Sequence, residues 1–428
     1  VGVEQPLFLH EDELPAIPSG WQWSRSDSLV IQLKPGKLFD TKTVAPAGAV
    51  PVLNQSESGV LGYHDEEPGV VASPSAPVVT FANHTCAMRL VRHPFSAIQN
   101  IFPKVGRPGV CDTVWFYYAL LGRVRTNEYK GHHPLFRDAF VPVPPIATQR
   151  RIASILSAYD DLIENNTRRI AILEEMARRI YNEWFVRFRF PGHEGLRMVE
   201  SELGLVPEGW AAVRFEELLD SSRGGDWGSD EISGGDTAPV SVIRGTDFDD
   251  LAHGTGNRVP ARFIEPKSLE KRRLRPFDVV VENSINAKSR SAGKTLLITP
   301  GLLKRLGGDA IAASFCKVFR FRDPKLAALA HQKMRQLFES GDMAFYQNVA
   351  ANGIANFQAT RFVATQFVLL PIDELPRKQI LEVFSTLTRS TYADAISNLR
   401  ITRDFLLPKL ISGELDVSAT PEPEALAA

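Results

Sequence analysis

Between Thr148 and Phe188 the seam positions recur in alternating steps of four and three: Ile152, Leu156, Tyr159, Ile163, Asn166, Ile170, Leu173, Ala177, Ile180 and Trp184. A period of 3.5 sustained this long predicts a coiled-coil helix, not one lying on a globular surface. Glu164–Arg168, Glu174–Arg178 and Glu175–Arg179 stand four apart in the favoured orientation. Asn166 is the one strongly polar seam residue, of the kind that fixes register at some cost in stability. About 40 helical residues span roughly 60 Å. A second long helix is predicted from Arg377 to Ile411. Its early stripe (Ile380, Val383, Phe384, Leu387) is out of phase with its late one (Tyr392, Ile396, Leu399, Arg403, Leu406, Leu410). Ser390 and Thr391 sit near the change, and Pro408 should bend or end the helix. Two striped helices in one chain most simply pack together. Apolar residues remain over at their ends: Trp184, Phe185 and Phe188 on the first, Phe405, Leu406 and Leu407 on the second. These are candidate docking surfaces for partner proteins.

Elsewhere the pattern is β-rich. Candidate strands are 49–54, 77–83, 86–91 and 139–143 before the first helix. After it they are 238–243, 277–283, 294–299, 316–322 and 366–371. Residues 114–121 read as a helix. Residues 324–340 read as an amphipathic helix with Leu326, Leu329, Ala330, Met334 and Leu337 on one face. The fold class is therefore α+β, with two mixed, β-rich units separated by two long helices.

The chain also repeats itself. Ile17-Pro18-Ser19-Gly20-Trp21 returns as Val206-Pro207-Glu208-Gly209-Trp210, at an offset of 189. Pro and Gly set a turn, and Trp is an anchor for a core. The stretch from Phe140, a short apolar strand with a Pro-containing exit into a helix, returns from Phe367. The order is unit, helix, unit, helix.

Composition narrows the class. The 428 residues are 44% hydrophobic and 23% charged, with Lys+Arg 49 against Asp+Glu 50. Disordered and disulfide-rich chains are excluded. No apolar run is long enough to span a membrane, and VGVEQPLFLHEDELP lacks the basic region of a signal peptide. The widely spaced Cys86, Cys111 and Cys316 suit reduced thiols, so a cytoplasmic location is expected. Charge is segregated. Residues 1–77 hold 4 basic and 10 acidic residues, and residues 78–137 hold 8 and 2. Residues 214–257 hold 3 and 10, and residues 258–305 hold 12 and 4. Two basic segments, each behind an acidic one, suggest two similar polyanion-facing units, or equally two sets of charges that mix in space.

Polar loops follow several strands, and their side chains can read base edges or hold phosphates. The candidate DNA-contacting set is Asn54, Gln55, Ser56, Asn83, His84, Arg89 and Arg107 in the first unit. In the second it is Arg244, Asn283, Asn286, Lys288, Ser289, Arg290 and Lys294. Asn and Ser also favour turns for purely local reasons. Three decoys are set aside. Gly293-Lys294-Thr295 is not a phosphate loop, because Lys288 stands where a Gly is needed and a strand pattern follows. Asp278 and Glu282 do not make a nuclease core, because Ser284 stands where such a core has Lys. No motif for methyl transfer or metal binding is present, so neither catalytic nor metal-binding residues are expected.

This layout resembles the specificity (S) subunit of type I restriction–modification systems. The resemblance rests on the IPSGW and VPEGW openings, on the segment from Pro144 through IATQRRIASILSAYDDLIENNTRRIAILEEMARRIYNEWF, and on LRITRDFLLPKLISGELDV. It implies target-recognition domains at 1–146 and 191–375 and helices at 147–190 and 376–416. These helices would form an antiparallel coiled coil, followed by a disordered tail at 417–428. It further implies double-stranded DNA as ligand, each domain reading half of a bipartite, asymmetric site. The implied protein partners are two modification (methyltransferase) subunits and restriction/translocase subunits. This chain would need no cofactor, and S-adenosylmethionine, ATP and Mg would serve those partners. A stand-alone DNA-binding regulator is the alternative; a third reading, an enzyme with an unrecognised active site, finds no motif to support it.

Overall fold

The computed structural model describes residues 14–56, 59–125, 131–256, 259–286, 292–351, 353–388 and 391–421. The chain forms two compact units, one of Val1–Asp161 with Ile401–Ala428, the other of Leu162–Arg400. Both long helices are thus shared, each contributing one part to each unit.

The first unit carries β1 (Gln22–Arg25), β2 (Val30–Gln32), β3 (Val50–Leu53), β4 (Val60–His64), β5 (Val78–Ala82), β6 (Met88–Val91), β7 (Ser96–Ala97), β8 (Ile101–Gly106) and β9 (Phe140–Val143). They form a four-stranded sheet β2-β8-β5-β6, a three-stranded sheet β4-β3-β7 and the pair β1-β9. Every residue of β5 is buried, as expected of a central strand with both faces covered. Phe81, Trp115, Phe116, Tyr118 and Phe136 fill the core with Ile152, Leu156 and Leu410 of the long helices.

The second unit carries β10 (Met198–Ser201), β11 (Gly204–Pro207), β12 (Trp210–Arg214), β13 (Leu219–Gly224), β14 (Ala238–Ile243), β15 (Ala261–Ile264), β16 (Val279–Glu282), β17 (Ser284–Asn286), β18 (Thr295–Leu297), β19 (Ala310–Ala312), β20 (Cys316–Phe321), β21 (Gln347–Val349), β22 (Ile354–Phe357) and β23 (Phe367–Pro371). Its sheets β13-β20-β16-β18, β15-β14-β19 and β12-β23 repeat those of the first unit strand for strand. Even the parallel pairing of β3 with β7 returns as β14 with β19. The hairpin β10-β11 and the sheet β17-β22-β21 are additions. The short motif repeats in the sequence therefore mark a duplicated framework. The predicted strands and both predicted shorter helices are present, with ends within two residues of those expected.

The first long helix runs Ile146–Tyr181 and ends in a π turn, Asn182–Val186. Its predicted seam is buried at Ile152, Leu156, Ile163, Asn166, Ile170 and Ala177. Near its end the buried positions become Tyr181 and Phe185, one residue later than predicted, because a 3.6-residue turn drifts from a strict 3.5 repeat. The second long helix is corrected to two helices, Glu374–Thr388 and Tyr392–Ser412. The change of phase near Ser390 and Thr391 is where they divide, and Ser390 itself lies outside the described residues. Pro408 is accommodated inside the second of them. The earlier helix buries Ile380, Leu381 and Phe384 in the second unit's core. Its Phe384 meets Tyr181, Trp184 and Phe185 at the end of the first long helix, and Tyr392–Ser412 joins the earlier part of the seam. In the second unit Ile163 and Ile170 pack with Ala393 and Ile396. In the first, Arg403 bonds Asp160 while Leu406 and Leu410 reach the cluster of Ile152 and Leu156, so the two helices run antiparallel there.

The apolar helix ends expected as docking surfaces are largely consumed within the units. Phe185 is buried and stacks edge-on against Trp210 at 5.7 Å, and Trp184 packs edge-on against Phe384 at 6.3 Å. Leu406 and Leu407 lie against the first unit's core. Phe188 is half-buried in a left-handed backbone conformation, and Phe405 alone of the six is exposed. The opening motifs explain this. Trp210 meets the end of the first long helix. Trp21 meets the end of the last one, where Gly413 (φ 76°) leaves no room for a Cβ beside Pro18. The tail is also anchored at its start, since Val417 is buried in the first unit's core.

Glu174 does not pair with Arg178, which bonds Glu175 instead. Its carboxylate lies 3.1 Å from Arg335 and 3.5 Å from His253. Burial raises the Glu174 pKa, but His253 and Arg335 outweigh it and hold the value at about 2. The hydrogen bond to Glu174 raises that of His253, aided by Asp249 and opposed by burial and Arg335. The His253 contribution to stability is full below its ordinary pKa and is lost as pH rises through the raised value. The Glu174 contribution is lost as pH falls below the ordinary carboxylate range towards 2. His253→Gln is therefore expected to flatten the fall in thermal stability between pH 6 and 8. An unaltered slope there would remove His253 from this role.

Lys104 is buried opposite Val79, in the register position that Phe319 fills opposite Val279. Burial, then Arg137, lowers its pKa to about 8, and Gln32 accepts its hydrogen bond at 3.0 Å. A cation in a core position is costly. Lys104→Met is expected to stabilise the protein by roughly 1–3 kcal/mol. Urea unfolding checks this, and a lower midpoint at unchanged slope is the contrary result.

Candidate nucleic-acid interface

In the first unit the loops after β3 and β5 and the one before β8 meet. Gln55 accepts the His84 N–H at 2.9 Å through its side chain and the Thr85 hydroxyl at 2.6 Å through its carbonyl. Asn100 reaches the His84 ring at 3.3 Å. Asn54 bonds the Val60 carbonyl at 3.2 Å, and Ser56 bonds the Asn54 side chain at 2.7 Å. Asn83 is the hub. Its N–H donates to the Asn100 carbonyl, its carbonyl accepts from His132 and its side chain accepts from His133. The sequence candidates Asn54, Gln55, Ser56, Asn83 and His84 thus form one cluster at one end of the main sheet.

Arg89 and Arg107 have other employment. The Arg89 guanidinium donates to the backbone carbonyls of Asn54, at 2.9 Å, and Ser56. It holds the loop, and burial lowers its pKa. Gly59 lets it pass, since a Cβ there would stand 2.8 Å from its Nε. Arg107 follows the far end of β8 and donates to the Ser28 carbonyl at 2.8 Å, away from the cluster.

In the second unit the same framework places Asn283 after β16. Its N–H donates to the Phe315 carbonyl at 2.8 Å, and its own carbonyl accepts the Phe357 N–H at 2.7 Å. Both main-chain bonds of Asn83 thus recur, while the Asn283 side chain instead donates to the Ser284 hydroxyl at 3.3 Å. Ser284 donates to the Asn356 side chain at 2.6 Å. Asn286 ends β17 beside this group, while Lys288, Ser289 and Arg290 lie outside the described residues. The Arg244 guanidinium is held by Asp247 through two bonds, at 3.0 and 2.7 Å, and Lys294 pairs with Asp249. With Arg262–Asp230 and Arg272–Asp226, these pairs draw on the acidic 214–257 segment, so segregated charge in sequence becomes mixed charge in space.

The decoys resolve structurally. Asp278 is buried and takes four bonds, from the Arg275 N–H, from both Nε and Nη2 of Arg320 and from Nη2 of Arg223, which gives it a structural role. Thr295 opens a strand, not a helix. The sequence reading missed Asn100, Phe315 and Asn356. Their neighbours carry no motif, and only strand pairing brings them to Asn83 and Asn283. Arg89→Ala is expected to speed hydrogen exchange at Asn54 and Ser56 with little change in global stability. Exchange unchanged there would mean the loop holds itself.

No family model matches the chain. It is 24% identical over 307 residues to the MjaIX specificity subunit of a type I restriction enzyme from Methanocaldococcus jannaschii, an alignment covering 68% of this chain and 63% of that one. The chain therefore spans somewhat under two thirds of that relative's length. It is 22% identical over 320 residues to the HindI specificity subunit from Haemophilus influenzae, covering 64% and 68%. The crystal structure of a type I restriction–modification S subunit from M. genitalium superposes with a TM-score of 0.55 at 13% identity, covering 94% of this chain and 97% of that one. In sequence and in fold, this chain is similar to type I restriction enzyme specificity subunits.

Proposed function

We propose that the chain is the DNA-specificity subunit of a type I restriction–modification complex. Each unit reads one half of a bipartite, asymmetric double-stranded site. The observation that carries this reading is the paired arrangement around Asn83 and Asn283: one framework, built twice, presents two differently furnished loop clusters at the same sheet end. Duplicated frames with divergent tips suit two related tasks on unlike sequences. Amide and hydroxyl groups at those tips supply base discrimination, and cations supply affinity that is indifferent to sequence.

Two readers need a fixed separation, and the helices shared by both units are suited to set it. Half-sites about one helical turn apart, roughly 34 Å, face the same side of a duplex. The chain itself is non-catalytic in this reading. Methylation falls to two modification subunits using S-adenosylmethionine, and cleavage with ATP and Mg to restriction/translocase subunits. No helix among the described residues is long and apolar enough to cross a membrane.

The chain produced with its modification subunits should methylate a bipartite site that methylome sequencing reveals. Exchanging residues 1–146 for the matching segment of a relative should change one half of that site and leave the other intact. Methyl transfer by the isolated chain, or a target unaltered by the exchange, contradicts the proposal.

A further inference from the structure

The strand registers of the two units align their tips residue by residue. In β5, Ala82 faces Ile101 of β8; in β16, Glu282 faces Cys316 of β20. One step further along, Asn100 and Phe315 occupy the same framework position. Each offers its backbone carbonyl to the asparagine that follows the central strand, at 3.0 Å to Asn83 and 2.8 Å to Asn283. Their side chains could hardly differ more. Asn100 is half-buried, adopts a left-handed backbone (φ 68°) and reaches His84. Phe315 is 66% exposed.

The mounting of Phe315 is rigid. The Cys316 N–H closes a tight turn onto the Ala313 carbonyl at 2.8 Å. The Phe315 carbonyl takes two N–H donors, from Asn283 and from Ser284 at 3.2 Å. On either side the chain is buried, at Ala313 and Cys316. A large apolar ring is thus held out on a fixed turn beside three polar side chains, Asn283, Ser284 and Asn356. A single exposed apolar residue is ordinary on a protein surface. One anchored by its backbone at the tip that its twin unit furnishes with an amide calls for a use of its shape. Apolar rings beside hydrogen-bonding groups enter DNA between stacked bases, partly unstacking a step and bending the duplex.

We infer that Phe315 is an apolar wedge that inserts at one base step of the half-site read by the second unit. This deepens the DNA-reading function proposed above and rests on it. The flanking amides and hydroxyl hold base edges or phosphates around the opened step. Such a wedge selects by deformability as well as by contact, and it favours a pyrimidine–purine step, which unstacks most easily. The first unit, with Asn100 at the same position, reads its half without a wedge there.

The test uses the full chain assembled with its modification subunits and a duplex carrying the site defined by its methylome. 2-Aminopurine is placed in turn at each position of both half-sites. The expected result is a fluorescence rise on binding at one step of the second half-site. Phe315→Ala abolishes that rise and weakens binding roughly tenfold or more. Phe315→Trp retains it, and Asn100→Ala leaves it in place. Thermal melting of both Phe315 variants should match the parent, since the ring lies outside the core. Site-specific binding with no rise at any position, or a rise that survives Phe315→Ala, overturns the wedge while leaving the DNA-reading function standing. Loss of the modification subunits on Phe315→Ala, with no DNA effect of its own, also overturns it, by making the ring a protein contact. Failure of the parent complex to bind any defined site overturns the underlying reading, and the wedge with it.

Discussion

An apolar stripe along a helix must be covered from end to end, and the stripe from Ile152 to Phe185 is longer than either unit's core can cover alone. The rest of the architecture follows from that. The first unit covers the beginning of the stripe and the second covers the remainder. The helix Tyr392–Ser412 is the partner along the seam, running antiparallel in the first unit, and Phe384 of the preceding helix covers the stripe's end in the second. Neither unit is then complete without helix supplied from a distant part of the chain. The polar Asn166 sits buried between Ile163 and Ile170, where a slipped pairing would bury it against different neighbours.

The same economy governs the helix ends. Each opening motif turns on a left-handed glycine, Gly20 or Gly209, and sets its tryptophan against the terminus of a long helix. Aromatic residues that read as spare in the sequence are the other half of these contacts. The second unit adds polar holds, with Arg305 bonding Asp394 and Gly301 leaving space beside the same carboxylate. At Gly20 and Gly209 the need is for the left-handed backbone of the turn, and at Gly301 a Cβ would collide with the Asp394 carboxylate.

Much of the fold was legible because it is written in periodicity. The step of 3.5 gave the first long helix, and runs such as Val78–Ala82 and Val279–Glu282 gave the central strands, since buried strands are continuously apolar. Strand β8 was hidden because Pro103 interrupts it, and β7 because two residues carry no period. The break before Tyr392 was visible only as a change of phase, which two helices and one kinked helix express alike. Of the candidate site, Asn54, Gln55, Ser56, Asn83, His84 and Asn283 were legible as polar residues after apolar strands. The cations fared worse. Arg89, Arg107, Arg244 and Lys294 are engaged by carbonyls or carboxylates that no local pattern singles out, and composition carries no information about such partners.

The hydrogen bonds that fix the tips run through the main chain. Asn83 and Asn283 are each anchored by their own N–H and carbonyl, and the residue facing them contributes only its carbonyl. Any amino acid possesses that carbonyl. The residue at position 315 can therefore be replaced without disturbing the scaffold that displays it, whereas the left-handed backbone at position 100 favours Asn or Gly. Sequence drift at position 315 meets little resistance from folding, so a lineage of such chains can diversify that tip rapidly while the frame beneath it stays still.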